Sequence, residues 1–195
     1  MSIRIINKNK IEWLTDFNEA MALAKQENKP VLLDFFNPGW IGCQQLAAVT
    51  YPNKKVIKFI NENLIPLQLQ FNDQFYIEKY NARWTPTIII IDSNGVEHHK
   101  SVGFLEPEAI ISMLKLGIGK MFFNTGKYRE AIEVFNEIIN KDPQGESTPE
   151  AVYLRGVSTY KQDGTADGLK AAYEILKNKF PGSNWTKRAS PYGLL

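Results

Sequence analysis

Cys43 is the single cysteine of a 195-residue chain, and its neighbours suit a thiol to chemistry. The apolar run Val31-Leu32-Leu33-Asp34-Phe35-Phe36 reads as a strand covered on both faces. It ends in Asn37-Pro38-Gly39, a turn by composition, and a helical stretch follows from about Trp40 to Val49. Cys43 therefore falls in the first turn of a helix, where free N–H groups and the helix dipole favour the thiolate. Disulfide exchange also needs a second thiol to resolve the mixed disulfide. With one cysteine, the chain can form no intramolecular disulfide and no cysteine-rich metal site. The other reading of Cys43 is a small core hydrophobe on a helix's buried face. Asp34 is the one acid in its strand, and burial raises a carboxyl's pKa. It is either the proton acceptor of a thiol reaction or a hydrogen-bond acceptor with no dithiol to serve. His98 and His99 are adjacent, so in a strand they face opposite sides and cannot chelate one ion together. They are expected at the surface. No metal site and no cofactor is expected.

The elements that must position Cys43 follow from periodicity. Phe17, Ala20, Met21, Leu23 and Ala24 form one face of a helix that starts at Thr15-Asp16 and stops at Glu27-Asn28-Lys29-Pro30. A helix over Lys54 to Asn63 buries Val56, Phe59 and Ile60, a strand alternates from Ile65 to Phe71, and a short polar helix lies around Tyr76 to Tyr80. Ile88-Ile89-Ile90-Ile91 and Val96 to Ser101 are strand-like runs joined through Ser93-Asn94-Gly95, a hairpin signal. Pro107 to Leu116 is helical. An opening strand before Thr15 completes the order. Helices alternating with buried strands and closing on an antiparallel hairpin indicate an α/β layered fold. After about Leu116 strand-like runs stop. Two helix pairs follow, Gly119 to Pro143 and Ala151 to Pro181, in which Phe135 and Tyr173 stand at the same distance before the closing proline. Ser190 to Leu195 reads as a loose tail.

Taken together, Asp34, the strand-to-helix turn and Trp40-Ile41-Gly42-Cys43 resemble the thioredoxin family over roughly Glu12 to Leu116. Asp34 precedes Cys43 by the spacing that the family's buried acid has to its second cysteine. The resemblance makes Trp40-Ile41-Gly42-Cys43 the counterpart of Cys-x-x-Cys, with Trp40 at the attacking position and Cys43 at the resolving one. Trp84-Thr85-Pro86-Thr87 looks like the cis-proline loop on which the family holds extended peptides. The implied fold is a central mixed sheet flanked by helices, over residues 1–117. The implied site is Cys43 and Asp34 for chemistry, with Trp40, Ile41, Gly42, Trp84, Thr85 and Pro86 holding a protein or peptide. Trp40 and Trp84 either form an aromatic binding surface together or each cover their own loop. The stretches Gly42 to Leu46 and Val49 to Asn63 are similar to a bacterial thioredoxin-like subgroup that normally has both cysteines. In residues 118–195, Gly119, Phe122, Ala131, Phe135 and Pro143 are similar to the small and aromatic positions of a tetratricopeptide repeat, with Lys115 where its early tryptophan would stand. Such a C-terminal α-helical extension either holds a protein partner or caps the α/β domain.

Composition narrows the function classes. Hydrophobic residues at 44% and charged residues at 23% are ordinary for a globular protein. The net charge of +2, from 23 basic and 21 acidic residues, is spread without the basic block that tracks phosphates, so nucleic acid is not an expected partner. Met1 to Lys10 has no uninterrupted apolar stretch and the longest apolar run is far below membrane-spanning length, so neither a secretion signal nor a membrane is expected, and a cytoplasmic location suits the lone thiol. Two readings remain. In one, Cys43 keeps mixed-disulfide or other monothiol chemistry. In the other, the groove at Pro86 and the helical repeats bind protein without catalysis.

Overall fold

The computed structural model describes residues 9–195. The expected opening strand and the reading of Met1 to Lys10 fall largely on residues outside these; among the described ones, Leu14 makes a single parallel bridge to Leu67. Two compact units divide the chain, residues 1–114 and 115–195.

In the first unit, Asp16 caps α1 (Phe17–Glu27) by accepting the Glu19 N–H at 2.7 Å, and Asn28 ends it in the left-handed conformation. Strand β1 (Val31–Phe36) is central in a four-stranded mixed sheet of order β2-β1-β3-β4. It pairs in parallel with β2 (Ile65–Gln70) and antiparallel with β3 (Thr87–Ile91), which in turn pairs antiparallel with β4 (Glu97–Val102). Val31, Leu33 and Phe35 alternate onto the face covered by Phe17, Ala20 and Ala24 of α1, where burial of apolar side chains drives packing. Leu32 and Asp34 take the other face by the same alternation. Between β1 and β2 lie α2 (Ile41–Gln45), a π-helical turn over Leu46–Thr50, and α3 (Lys54–Asn63), which Asn53 caps. A short helix, α4 (Gln74–Lys79), precedes β3. The helical stretch expected from about Trp40 to Val49 is α2 running directly into the π-helical turn. Helix α5 (Pro107–Asn124) continues unbroken past the expected boundary at residue 117.

His98 differs from the surface position expected of it. His98 is buried and its Nε2 lies 3.2 Å from Asp92 Oδ2, because the bulge between Ile90 and Ile91 brings the hairpin's acid beside it.

The second unit holds α6 (Tyr128–Lys141), α7 (Thr148–Asp163), α8 (Asp167–Lys179) and α9 (Asn184–Ala189) after the end of α5. Phe135 is fully buried among Leu116, Ala131, Ile138 and Ala151. A Cβ on Gly119 would stand 2.4 Å from the Phe135 ring, and one on Gly156 2.5 Å from Ala172 Cβ, so both helix crossings need glycine for close approach. The expected loose tail is instead a 3₁₀ turn over Ser190–Leu194, with Tyr192 stacked on Tyr153 and their hydroxyls 3.0 Å apart. Aromatic contact offsets the entropy of ordering that segment.

Candidate functional site

Cys43 is buried on α2, and its Sγ accepts a hydrogen bond at 3.4 Å from the Asn37 N–H of the preceding turn. Trp40 is the N-cap residue of α2 and supplies no side-chain cap. Gln44 holds the turn by donating its Nε2 to the Pro38 carbonyl at 3.0 Å. The thiol thus sits at a helix start, as its sequence position suggests, but inside the protein surface.

Asp34 is almost fully enclosed. Its Oδ2 accepts hydrogen bonds from the Tyr51 hydroxyl at 3.0 Å and from Gln68 Nε2 at 2.9 Å, while Oδ1 has no partner. Desolvation pushes its pKa up to about 6, and the two hydrogen bonds pull against that rise. Burial, together with the neighbouring Asp34 charge, holds the Tyr51 hydroxyl well above the usual tyrosine range, so Tyr51 is a donor. Tyr51 packs its ring edge against Trp13, with centroids 5.0 Å apart.

Neither Tyr51 nor Gln68 was singled out from sequence as a site residue. Gln68 carried a signal: it is a polar residue in an apolar strand, and it pairs directly with Asp34, the polar residue of the adjacent strand. Tyr51 carried none, because its placement depends on the wider π-turn just before it.

Asp34, Cys43, Tyr51 and Gln68 line a cleft of about 230 Å³, together with apolar side chains that include Phe36 and Leu46. The remaining sequence-predicted residues gather elsewhere. A Cβ on Gly42 would lie 2.9 Å from Pro86 Cδ, so α2 and the Pro86 loop meet at a glycine. The Thr85–Pro86 peptide is cis. Pro86 accepts the Gly103 N–H at 2.9 Å, and Thr87 Oγ1 donates to the Trp84 carbonyl at 2.6 Å. Thr85 is buried with its hydroxyl unpartnered. Trp40 and Trp84 meet edge to face, with centroids 4.6 Å apart and planes at 88°. Both are exposed, and beside them Ile41 is 70% exposed. Cys43 thus lines the cleft, whereas Trp40, Ile41 and Trp84 are exposed and do not line it. No group of side chains suited to hold a metal ion occurs among the described residues, and no helix among them is long and apolar enough to cross a membrane.

Residues 17–118, more than half of the chain, match the family model of the thioredoxin-like domain. The chain belongs to the thioredoxin-like family. Thiol:disulfide interchange protein DsbD of Escherichia coli K12 is 26% identical over 119 residues, which cover 56% of this chain and 20% of DsbD. This chain thus spans about a fifth of the length of that relative. Among solved structures, a DsbH oxidoreductase superposes with a TM-score of 0.52 at 19% identity, covering 60% of this chain and 90% of that one. A Bacteroides thetaiotaomicron protein proposed to be a disulphide-isomerase gives 0.51 at 24% identity, covering 56% and 94%. At these identities the likeness to solved structures is one of fold. The thioredoxin-like domain is related to thiol-disulfide oxidoreductases.

Proposed function

We propose that this thioredoxin-like protein binds an extended, apolar segment of a partner protein at the Trp40–Trp84 surface, without dithiol turnover. The observation that carries the reading is the exposed edge-to-face pair of Trp40 and Trp84, flanked by Ile41, and it is supported by the sequence resemblance that sets Trp40 at the attacking cysteine's position. An indole cannot attack a disulfide, but it offers a large rigid contact surface at little entropic cost, and tryptophan is enriched at binding hot spots. The loop of Thr85 and Pro86, in which Pro86 packs on Gly42, forms the edge along which the segment would lie. The tetratricopeptide-like helices of residues 118–195 give a further surface for the same or another protein.

The test uses the full chain and a dye-labelled unstructured peptide rich in leucine and phenylalanine, with binding read by fluorescence anisotropy. Saturable binding is expected, weakened about tenfold or more by Trp40→Ala and by Trp84→Ala, as for hot-spot aromatics. Equal binding by wild type and both variants, with unfolding transitions unchanged, would refute the reading.

A second reading is favoured by the cleft. Because Cys43 and Asp34 line a common cavity, Cys43 keeps monothiol chemistry on its inner side. Alkylation of Cys43 by iodoacetamide in the native chain tests it; labelling that requires unfolding excludes it.

A further inference from the structure

Hydrogen bonding around the Trp40–Trp84 pair is lopsided. The carbonyls of Asn37 and Pro38 accept the Trp40 N–H at 3.1 Å and Gln44 Nε2 at 3.0 Å, and the Trp40 carbonyl takes the Cys43 and Gln44 N–H groups at 3.0 and 3.1 Å. On the other side, Thr87 Oγ1 donates to the Trp84 carbonyl at 2.6 Å, and the Gly103 N–H to the Pro86 carbonyl at 2.9 Å. These acceptors beside the rings are already engaged. The indole donors are not: neither indole N–H has an acceptor among the described residues. A segment covering this surface therefore does best with carbonyls to offer and few N–H groups to bury, since an N–H buried without an acceptor forfeits its hydrogen bond to water. An ordinary extended chain carries an N–H on every residue. Proline carries none, and a proline-rich segment holds the polyproline II conformation, whose carbonyls make no internal hydrogen bonds. That conformation is set before binding, so little entropy is lost when it docks on aromatic side chains. Two exposed indoles at 88°, with Ile41 beside them, present apolar faces in two directions to such a three-residue-per-turn helix.

Charge narrows the partner further. Arg83 adjoins Trp84 in the chain and is exposed. Its Nε donates to Asn81 Oδ1 at 2.7 Å, and no carboxylate pairs with it among the described residues. We propose that the segment bound at Trp40 and Trp84 is proline-rich, in the polyproline II conformation, with an acidic residue beside the prolines for Arg83. The inference rests on the reading that this surface binds a partner protein, and it names that partner's chemistry. Trp40 and Trp84 donate their indole N–H groups to carbonyls of the segment, the prolines lie against the rings and Ile41, and the carboxylate meets the Arg83 guanidinium.

Three dye-labelled peptides of equal length are titrated with the full chain and read by fluorescence anisotropy. One is built of prolines and leucines with glutamates at one end, the second has lysines for the glutamates, and the third has leucines and phenylalanines with the same glutamates. The acidic proline peptide is expected to bind about tenfold tighter than the leucine–phenylalanine peptide, the worth of one or two hydrogen bonds. Trp40→Phe and Trp84→Phe keep a ring and lose the N–H, so each is expected to bring that ratio down toward unity. The acidic proline peptide is expected to bind about two- to fivefold tighter than the basic one, the worth of an exposed ion pair, and Arg83→Gln to remove the difference. Equal or tighter binding of the leucine–phenylalanine peptide overturns the polyproline assignment and leaves partner binding at the indoles standing. Binding of none of the three overturns both together. An affinity indifferent to the sign of the flanking charge overturns the role given to Arg83.

Discussion

Asp34 meets two opposing demands, since its strand buries it completely while its neighbours supply only two donors to one of its oxygens. The folded chain holds the proton up to about pH 6, whereas an exposed aspartate releases it near 3.8. Between those values the unfolded state binds fewer protons than the folded state, so stability falls as pH rises from 3.8 to about 6 and then levels off. The size of that fall is about 3 kcal/mol, at roughly 1.4 kcal/mol per pH unit of separation. Asp34→Asn keeps an acceptor for Tyr51 and Gln68 and carries no charge. Urea titrations at several pH values should therefore show the variant more stable at neutral pH, by about 1–3 kcal/mol, and without the acid-side gain. A variant that retains the wild-type slope would refute this account of Asp34. Trp40 lends itself to the opposite kind of change. Trp40→Cys puts a thiol at the N-cap of α2, the position where a helix most favours thiolate. Oxidation of the variant should remove both thiols from Ellman titration, and dithiothreitol should restore them. If both thiols persist after oxidation, positions 40 and 43 do not stand in disulfide-forming geometry.

At the scale of elements, the apolar runs of β1 and β3 and the capped, amphipathic α1 and α3 were legible in the sequence, because burial on both faces of a strand and on one stripe of a helix leaves a periodic record. The π-turn at Leu46–Thr50 left none. Its extra residue per turn is set by tertiary fit, and it delivers Tyr51 to Asp34, so the sequence pattern pointed to Asp34 and Cys43 as candidates but not to the Tyr51 that bonds Asp34. His98 was misjudged for a related reason: a bulge shifts the register of the hairpin, and strict alternation cannot anticipate that. The tail at Ser190–Leu194 looked loose by composition, yet one aromatic pair, Tyr153 with Tyr192, orders it. Glycines in helices carry the reverse lesson, since Gly119 and Gly156 oppose helix propensity and so point to close packing. Gly119→Ala gains helix propensity worth about 1 kcal/mol. The new methyl, however, would lie 2.4 Å from a fully buried Phe135 ring with nowhere to move. The clash wins, and thermal unfolding should report a net loss of about 1–3 kcal/mol. Gly182→Ala, which would meet nothing within 4 Å, should leave the midpoint in place.

At the scale of the molecule, each unit has a core of its own. Phe135 packs with Leu116, Ala131, Ile138 and Ala151, all within residues 115–195, while Phe35 packs with Phe17, Val31, Leu33 and Ile89, all within residues 1–114. Protection of amides from exchange follows the cooperative unit whose opening exposes them. Truncating a buried phenylalanine to alanine costs about 3–5 kcal/mol through lost transfer energy and the cavity left behind. Phe135→Ala should therefore speed hydrogen exchange in α6 and α7 by orders of magnitude. The amides of β1 and β3 should keep their wild-type rates, since none of their buried neighbours has lost a contact. Phe35→Ala should do the reverse, opening β1 to β3 and sparing α7 and α8. Exchange followed by mass spectrometry on proteolytic fragments separates the regions. The informative segment is α5, whose single helix carries Leu114 in one unit and Leu116 in the other. If Phe135→Ala deprotects β1 as much as α7, the helix transmits the loss and the chain opens as one cooperative body; if protection in α5 fades only beyond Leu114, the two cores govern their own stretches of it.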